Sequence, residues 1–176
     1  MPQYETVHIV VDDGVIANGE VWVIIHPVWW LADIYHAPSE YRRSLERFSV
    51  PQRLVFALRW YIEEVNNGGH HQFYYNHTGI VWKDACKAFA AVNVKKGADI
   101  ILESADRMGG TPSFGREQRL AELDEYNPDF SDLDEKFYEL EKTTDIEEAM
   151  IAYIRENAAA FHFSGEITRV VLPKFR

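Results

Sequence analysis

The chain has 176 residues, 47% of them hydrophobic and 26% charged, with one cysteine and a formal net charge of −10. A chain of this length fits one domain with a real core, and a lone Cys86 excludes an intramolecular disulfide and a Cys-rich zinc site. No stretch reads as a signal peptide, and the longest apolar run, VWVIIHPVWWLA, is too short to span a bilayer and is interrupted by His26 and Pro27, so a soluble, cytoplasmic protein is expected.

The charge is unevenly placed. Residues 99–148 hold 16 of the 28 acids and only 5 of the 18 basic residues. The rest of the chain is close to neutral. Such asymmetry speaks of partners rather than fold. It argues against direct binding to nucleic acid or to an anionic membrane, where phosphate attraction dominates.

In chain order, residues 1–26 read as a β annex. ETVHIVV and VIANGEVWVII are rich in β-branched residues, and Asp13-Gly14 and Asn18-Gly19 are turn signals, so two short strands are expected. The tail over 161–176, FHFSGEITRVVLP within it, has a similar signature and is expected to pair with them. Residues 28–160 read as helical. VWWLADIYH is a short aromatic helix stopped at Ala37-Pro38, and SEYRRSLERF comes next with Ser39 as N-cap. Ser49-x-x-Gln52 is a capping box with Pro51 in the first turn. Leu54, Leu58, Tyr61, Ile62 and Val65 then recur at helical spacing, to a helix end at Val65. WKDACKAFAAV and KKGADIILESADRM form a helical pair. REQRLAELDEY and DLDEKFYELEK come next, and Thr144 or Asp145 caps IEEAMIAYIRENAAAF. The fold class expected is mainly α: a single multi-helix domain with a small β hairpin or sheet. Leu58, Tyr61, Ile62, Val65, Phe73, Phe89, Ile100 and Ile101 should share its core.

The stretch EEVNNGGHHQFYYNHTG, residues 63–79, gathers three His, three Gly and three Asn in all. A helix stop needs one residue in the left-handed region, and Asn66, Asn67, Gly68 and Gly69 supply a surplus. Gly68 or Gly69 should take a positive φ. Gln72 and Asn76 can satisfy backbone groups that such a turn leaves unpaired, and Asn76 or Thr78 can cap the helix beginning near Ile80. Adjacent His70 and His71 point apart on a helix or a strand, a His71–His77 pair would need a third ligand from Glu63 or Glu64, and no two histidines here have the i, i+4 spacing of H-E-x-x-H. Cys86 reads as a buried structural thiol, and Asp33 and His36 as helical i, i+3 neighbours. No catalytic residue, metal or cofactor is expected, and a small-ligand pocket at Asn66–Asn76 stays open.

The block N-N-G-G-x-x-Q-[FY]-[FY]-x-N, here Asn66 to Asn76, lies between the PQRLVFALRWYI and GIVWKDACKAFAAV helices. It resembles the bacterial DNA-mimic protein nineteen family, first catalogued as a domain of unknown function. The resemblance runs over about residues 28–155, and the first 25 residues depart from it. It implies an acidic interaction protein that occupies the DNA-binding surface of a transcription factor or other DNA-binding protein.

Carboxylates three or four residues apart on a helix have Cβ atoms about 5–6 Å apart, comparable with neighbouring phosphates on a strand. The expected protein-binding surface is Glu117, Glu122, Asp124, Glu125, Asp129, Asp132, Asp134, Glu135, Glu139 and Glu141. Its expected partner is a basic DNA-binding protein, with a homodimer left open. Two other readings stand beside it: a hydrolase-like enzyme using Asn66–His77 with Glu63 or Glu64 as base, and an immunity or antitoxin-like inhibitor of a basic toxin.

Overall fold

Strands from opposite ends of the chain meet in a computed structural model that describes residues 3–170. β1 (Tyr4–Val11) and β2 (Phe163–Val170) pair antiparallel in unbroken register from Tyr4↔Val170 to Val11↔Phe163. Burial alternates along both, with Val11 and Ile167 turned to the core. The tail thus pairs with the N-terminal strand as its sequence suggests.

Between the strands lie ten helices. They are α1 (Asp13–Asn18), α2 (Val21–Leu31), α3 (Pro38–Leu45), α4 (Val50–Tyr75), α5 (Trp82–Ala91), α6 (Lys95–Arg107), α7 (Arg116–Tyr126), α8 (Ser131–Thr143), α9 (Ile146–Glu156) and α10 (Ala158–Phe161). A 3₁₀ turn, His77–Val81, joins α4 to α5. The fold is mainly α. No helix among the described residues is long and apolar enough to cross a membrane.

The second expected N-terminal strand does not exist. VIANGEVWVII is helical instead, spread over α1 and α2. Asp12 caps α1 by accepting from the Val15 N–H at 3.0 Å. In α2, Val21, Ile24, Ile25 and Val28 fall at i, i+3, i+4, i+7 and are fully buried, so packing overrides β-branched propensity. Two boundaries also shift. α2 stops at Leu31, which leaves Asp33, Tyr35 and His36 outside any helix, and α3 begins at Pro38 with Ala37, not Ser39, as its N-cap.

Later helix starts obey their caps. Ser49 Oγ accepts from the Gln52 N–H while Gln52 accepts from the Ser49 N–H, a complete capping box. Asp145 accepts from the Glu148 N–H and starts α9. α4 is the central element, packed by α2, α5, α7, α8 and α10. All eight residues expected to share the core are buried in one cluster. At its centre Tyr61 makes edge-on contacts with Phe73, Phe89 and Phe137 at ring separations of 5.1, 5.6 and 5.3 Å. Each such pair contributes about 0.5–1.5 kcal/mol beyond area burial.

Candidate functional site

α4 does not end at Val65. It runs to Tyr75 through a break at Gly68 (φ −165°, ψ 26°) and Gly69 (φ 72°, ψ −176°). Gly69 occupies a region open almost only to glycine. A Cβ there would also overlap the Asp134 carboxylate. The surplus of permissive residues is therefore explained by a close approach of α8.

α8 supplies partners to the backbone at this break. The Asp134 Oδ1 accepts from the His70 N–H at 2.8 Å and contacts His70 Nδ1 at 2.5 Å. A carboxylate only accepts, so Nδ1 carries a proton. In the neutral tautomer that fits, Nε2 accepts from the Tyr61 hydroxyl, 2.7 Å away. The Tyr138 hydroxyl donates to the Val65 carbonyl at 3.0 Å, and Asn66 Nδ2 donates to Glu141 Oε1 at 3.0 Å. Asp134, Tyr138 and Glu141 fall along one flank of α8, beside its buried row Leu133, Phe137 and Leu140.

Gln72 and Asn76 do not serve the backbone. Their amides donate to Glu64 Oε2 at 3.0 and 2.8 Å, and Thr78 donates to Oε1 at 2.7 Å. Glu64 is a buried carboxylate held by three neutral donors. Asn76 makes no side-chain cap, and neither does Thr78. Asn67 stays exposed. A second buried charge lies next door. The Arg119 guanidinium, with no exposed surface, donates to the carbonyls of Tyr74, Ser113, Phe114, Asn76 and His77 at 2.7–3.2 Å. Burial pulls its pKa down to about 10, which still leaves it cationic at neutral pH. Gly79 makes room for it, since a Cβ there would sit 2.7 Å from Nε.

The histidines diverge. His70 points inward, His71 stacks on Tyr75, and His77 lies edge-on to Tyr35. As an enzymatic base Glu64 has both oxygens engaged, and Glu63 is exposed and paired with Arg59 at 2.6 Å. Cys86 is half-buried rather than buried, its thiol pKa raised by desolvation. Among the described residues, one group has metal-ligand proximity: Asp33, His36 and Glu40, within 4.8 Å of one another. Asp33 already binds His36 Nδ1 at 2.5 Å, and Arg43 and Arg47 line the same hollow, which disfavours a cation.

The acidic block divides by what each carboxylate touches. Asp134 and Glu141 are half-buried and committed to the α4 break, and Glu122 binds the Ser113 N–H and hydroxyl. Those three are engaged by partners within the chain, which leaves them less free than the exposed acids. Asp132 is gripped by both Arg107 terminal nitrogens at 2.5 and 2.9 Å and by Lys136 at 3.3 Å, which holds its carboxyl well below the usual range. Glu139 pairs loosely with Lys142 at 3.4 Å. Asp129 accepts from the Ser131 hydroxyl and N–H, and its pKa falls accordingly. Glu117, Asp124, Glu125 and Glu135 are exposed and have no ion pair among the described residues. The first three share the outer face of α7, at i, i+7 and i+8.

Neither a search of curated proteins nor one of solved structures returned a match. A family model described as DMP19-like protein matches residues 46–157, from just before the α4 cap to the end of α9. That span holds the broken helix, its Glu64 and Arg119 anchors and the whole acidic block, and by it the chain belongs to the DMP19-like protein family.

Proposed function

We propose that this chain is an acidic interaction protein that takes the place of DNA on the basic surface of a DNA-binding protein. The observation that carries the reading is the lopsided outer charge of α7 and α8. From Arg116 to Thr143, the span of these two helices, there are ten acids and four basic residues, and one of the four, Arg119, is buried. Its guanidinium is engaged by backbone carbonyls, so it does little to neutralise the outer face. The unpaired row Glu117, Asp124 and Glu125, continued by Asp129 and Glu135, is the part best suited to receive Lys and Arg side chains. Family membership supports the same reading.

Helix-borne carboxylates fixed on a packed scaffold resemble a phosphate row in two respects. They hold charge at a spacing set by the backbone, and they lose little ordering entropy on binding. Long-range attraction would then steer a basic domain towards the face and speed encounter. The test begins with capture from host lysate at low salt on the immobilised chain. The captured protein is then given its own DNA, with and without the chain present. Displacement of DNA is the expected result. A captured protein that holds chain and DNA together would sink the mimic reading.

A further inference from the structure

A hollow of about 390 Å³ lies where α3, the start of α4, the 3₁₀ turn, α5 and the loop before α7 meet. Small-molecule sites have roughly 300–1,000 Å³. Buried Leu45 and Ile80 and the exposed ring of Phe114 give it an apolar part. Tyr41 lines it too and is only 5% exposed, yet its hydroxyl has no hydrogen-bond partner among the described residues. Buried polar groups are nearly always paired, so a hydroxyl left over in a hollow points to something that enters it. Burial, then the Asp84 carboxylate, raise its pKa while Arg53 opposes them, so the hydroxyl stays a neutral donor. Asp84 and Arg53 both line the same hollow.

The charge of the hollow runs against that of the chain. With 28 acids to 18 Lys and Arg, every cation here has acids to spare as partners. Arg42 and Arg53 nevertheless engage only Nε, on the carbonyls of Pro38 and Phe48 at 3.2 and 2.9 Å. The Lys83 ammonium lies 5.2 Å from the ring centres of Trp82 and Phe114. None of the three has a carboxylate partner among the described residues. The acids of the hollow are Asp84, paired with Lys87 at 3.3 Å, and the exposed Glu46. We propose that this hollow binds a small phosphate monoester, its phosphate on Arg42, Arg53, Lys83 and the Tyr41 hydroxyl and its apolar body against Leu45, Ile80 and Phe114. A phosphate monoester carries about −1.5 to −2 charges and three acceptor oxygens, which suits several unpaired cations better than a single carboxylate does. Guanidinium forks with free terminal nitrogens match those oxygens in pairs. The net charge of −10 repels a polyanion, which favours a small ligand over nucleic acid.

No carboxylate of the acidic face lines this hollow, and the α3 wall lies outside the family-matched span of 46–157, so the site is independent of the DNA-replacement reading. Isothermal titration calorimetry of the full chain at neutral pH tests it with phenyl phosphate, inorganic phosphate and phenol. Phenyl phosphate should occupy a single site at least about tenfold more tightly than inorganic phosphate, and phenol should give no measurable binding. Arg42→Gln/Lys83→Gln should weaken phenyl phosphate about tenfold or more, whereas Lys95→Gln/Lys96→Gln, with the same loss of charge on α6, should leave it unchanged. Tyr41→Phe removes a hydroxyl that no protein group uses. It should weaken binding several-fold with an unchanged circular dichroism spectrum and melting temperature. No binding of phenyl phosphate, an affinity no better than that of inorganic phosphate, equal losses from the two double variants, or a Tyr41→Phe chain that binds as the parent does would each overturn the proposal.

Discussion

Asp134 closes the gap that Gly69 opens: one carboxylate oxygen takes both the backbone N–H and the ring nitrogen of His70, sixty-four residues away in sequence. A break in the longest helix of the protein is thereby made a fixed joint, and α8 is registered against α4 at the same point. The acidity of α8 has two sides, one directed at this joint and one at solvent.

Gly69→Ala should therefore cost more than the conformation alone. A positive-φ glycine replaced by Ala loses about 1 kcal/mol or more, and the overlap with Asp134 adds to it, for roughly 2–3 kcal/mol in all. Gly110→Ala is the comparison, since Gly110 also has a positive φ (92°) but open space around it. Urea unfolding of both variants measures the difference. Equal losses would mean that α8 gives way freely and the joint is not tight.

The buried carboxylate makes a second, opposite kind of demand. Glu64→Gln keeps the shape but replaces one acceptor oxygen by an NH₂ group, which must face either the Gln72 and Asn76 amides or the Thr78 hydroxyl. Leaving a buried donor unpaired costs about 1–3 kcal/mol. Glu63→Gln, one residue away, removes only an exposed pair with Arg59 and should cost less than about 1 kcal/mol. Thermal unfolding of the two single variants is the check. A Glu64→Gln variant as stable as Glu63→Gln would show that the three donors find water instead.

Local and periodic features are the ones legible in the sequence. The Ser49–Gln52 capping box, the stripe through Leu58, Tyr61 and Val65, and the positive φ within Gly68-Gly69 all rest on neighbours within one or two turns. The β1–β2 pairing is legible because both ends of the chain carry a strand signature. α1 and α2 mislead because Val and Ile suit strands and buried helices alike; only the i, i+3, i+4, i+7 order of Val21, Ile24, Ile25 and Val28 separates the two. Glu64, Arg119 and Asp134 are hidden for another reason. A charged residue on a helix reads as surface unless its partners are known, and these partners are brought together by the fold. One signal is available for Arg119: it sits one turn before the buried Leu123 on the same face of α7.

The Arg107 cluster should mark the acid limit of stability. Hydrogen bonds from Arg107, then Lys136, hold both Asp132 and Glu103 below the ordinary carboxylate range. A carboxyl depressed in the folded state contributes stability above its unfolded pKa, near ~4, and loses it as pH falls through the lower folded value. The cluster links α6 to α8, so acid should loosen that contact first. In Arg107→Gln the melting temperature should depend less steeply on pH below about 4 than in the parent, because much of the shift has been removed. Curves of identical steepness would show that these exposed pairs add nothing measurable.

Function should track the unpaired acids rather than the total charge. Glu117→Lys/Asp124→Lys/Glu125→Lys reverses the row on α7 that has no ion pair among the described residues. Asp132→Lys/Glu135→Lys/Glu139→Lys reverses three acids on α8, of which Asp132 and Glu139 are already paired with Arg107, Lys136 and Lys142. If the free carboxylates receive the partner's cations, the α7 triple should abolish competition with the partner's DNA and the α8 triple should weaken it less. The α8 triple should also lower stability, since its Asp132→Lys change sets a second cation against Arg107, whereas the α7 triple should leave unfolding nearly unchanged. Raising salt from about 50 to 200 mM should weaken parental binding roughly tenfold or more, as exposed charges are screened beyond a Debye length of about 10 Å. Equal losses from the two triples would place the effect in net charge alone, and no loss from either would leave the acidic face a solvated surface with no partner of this kind.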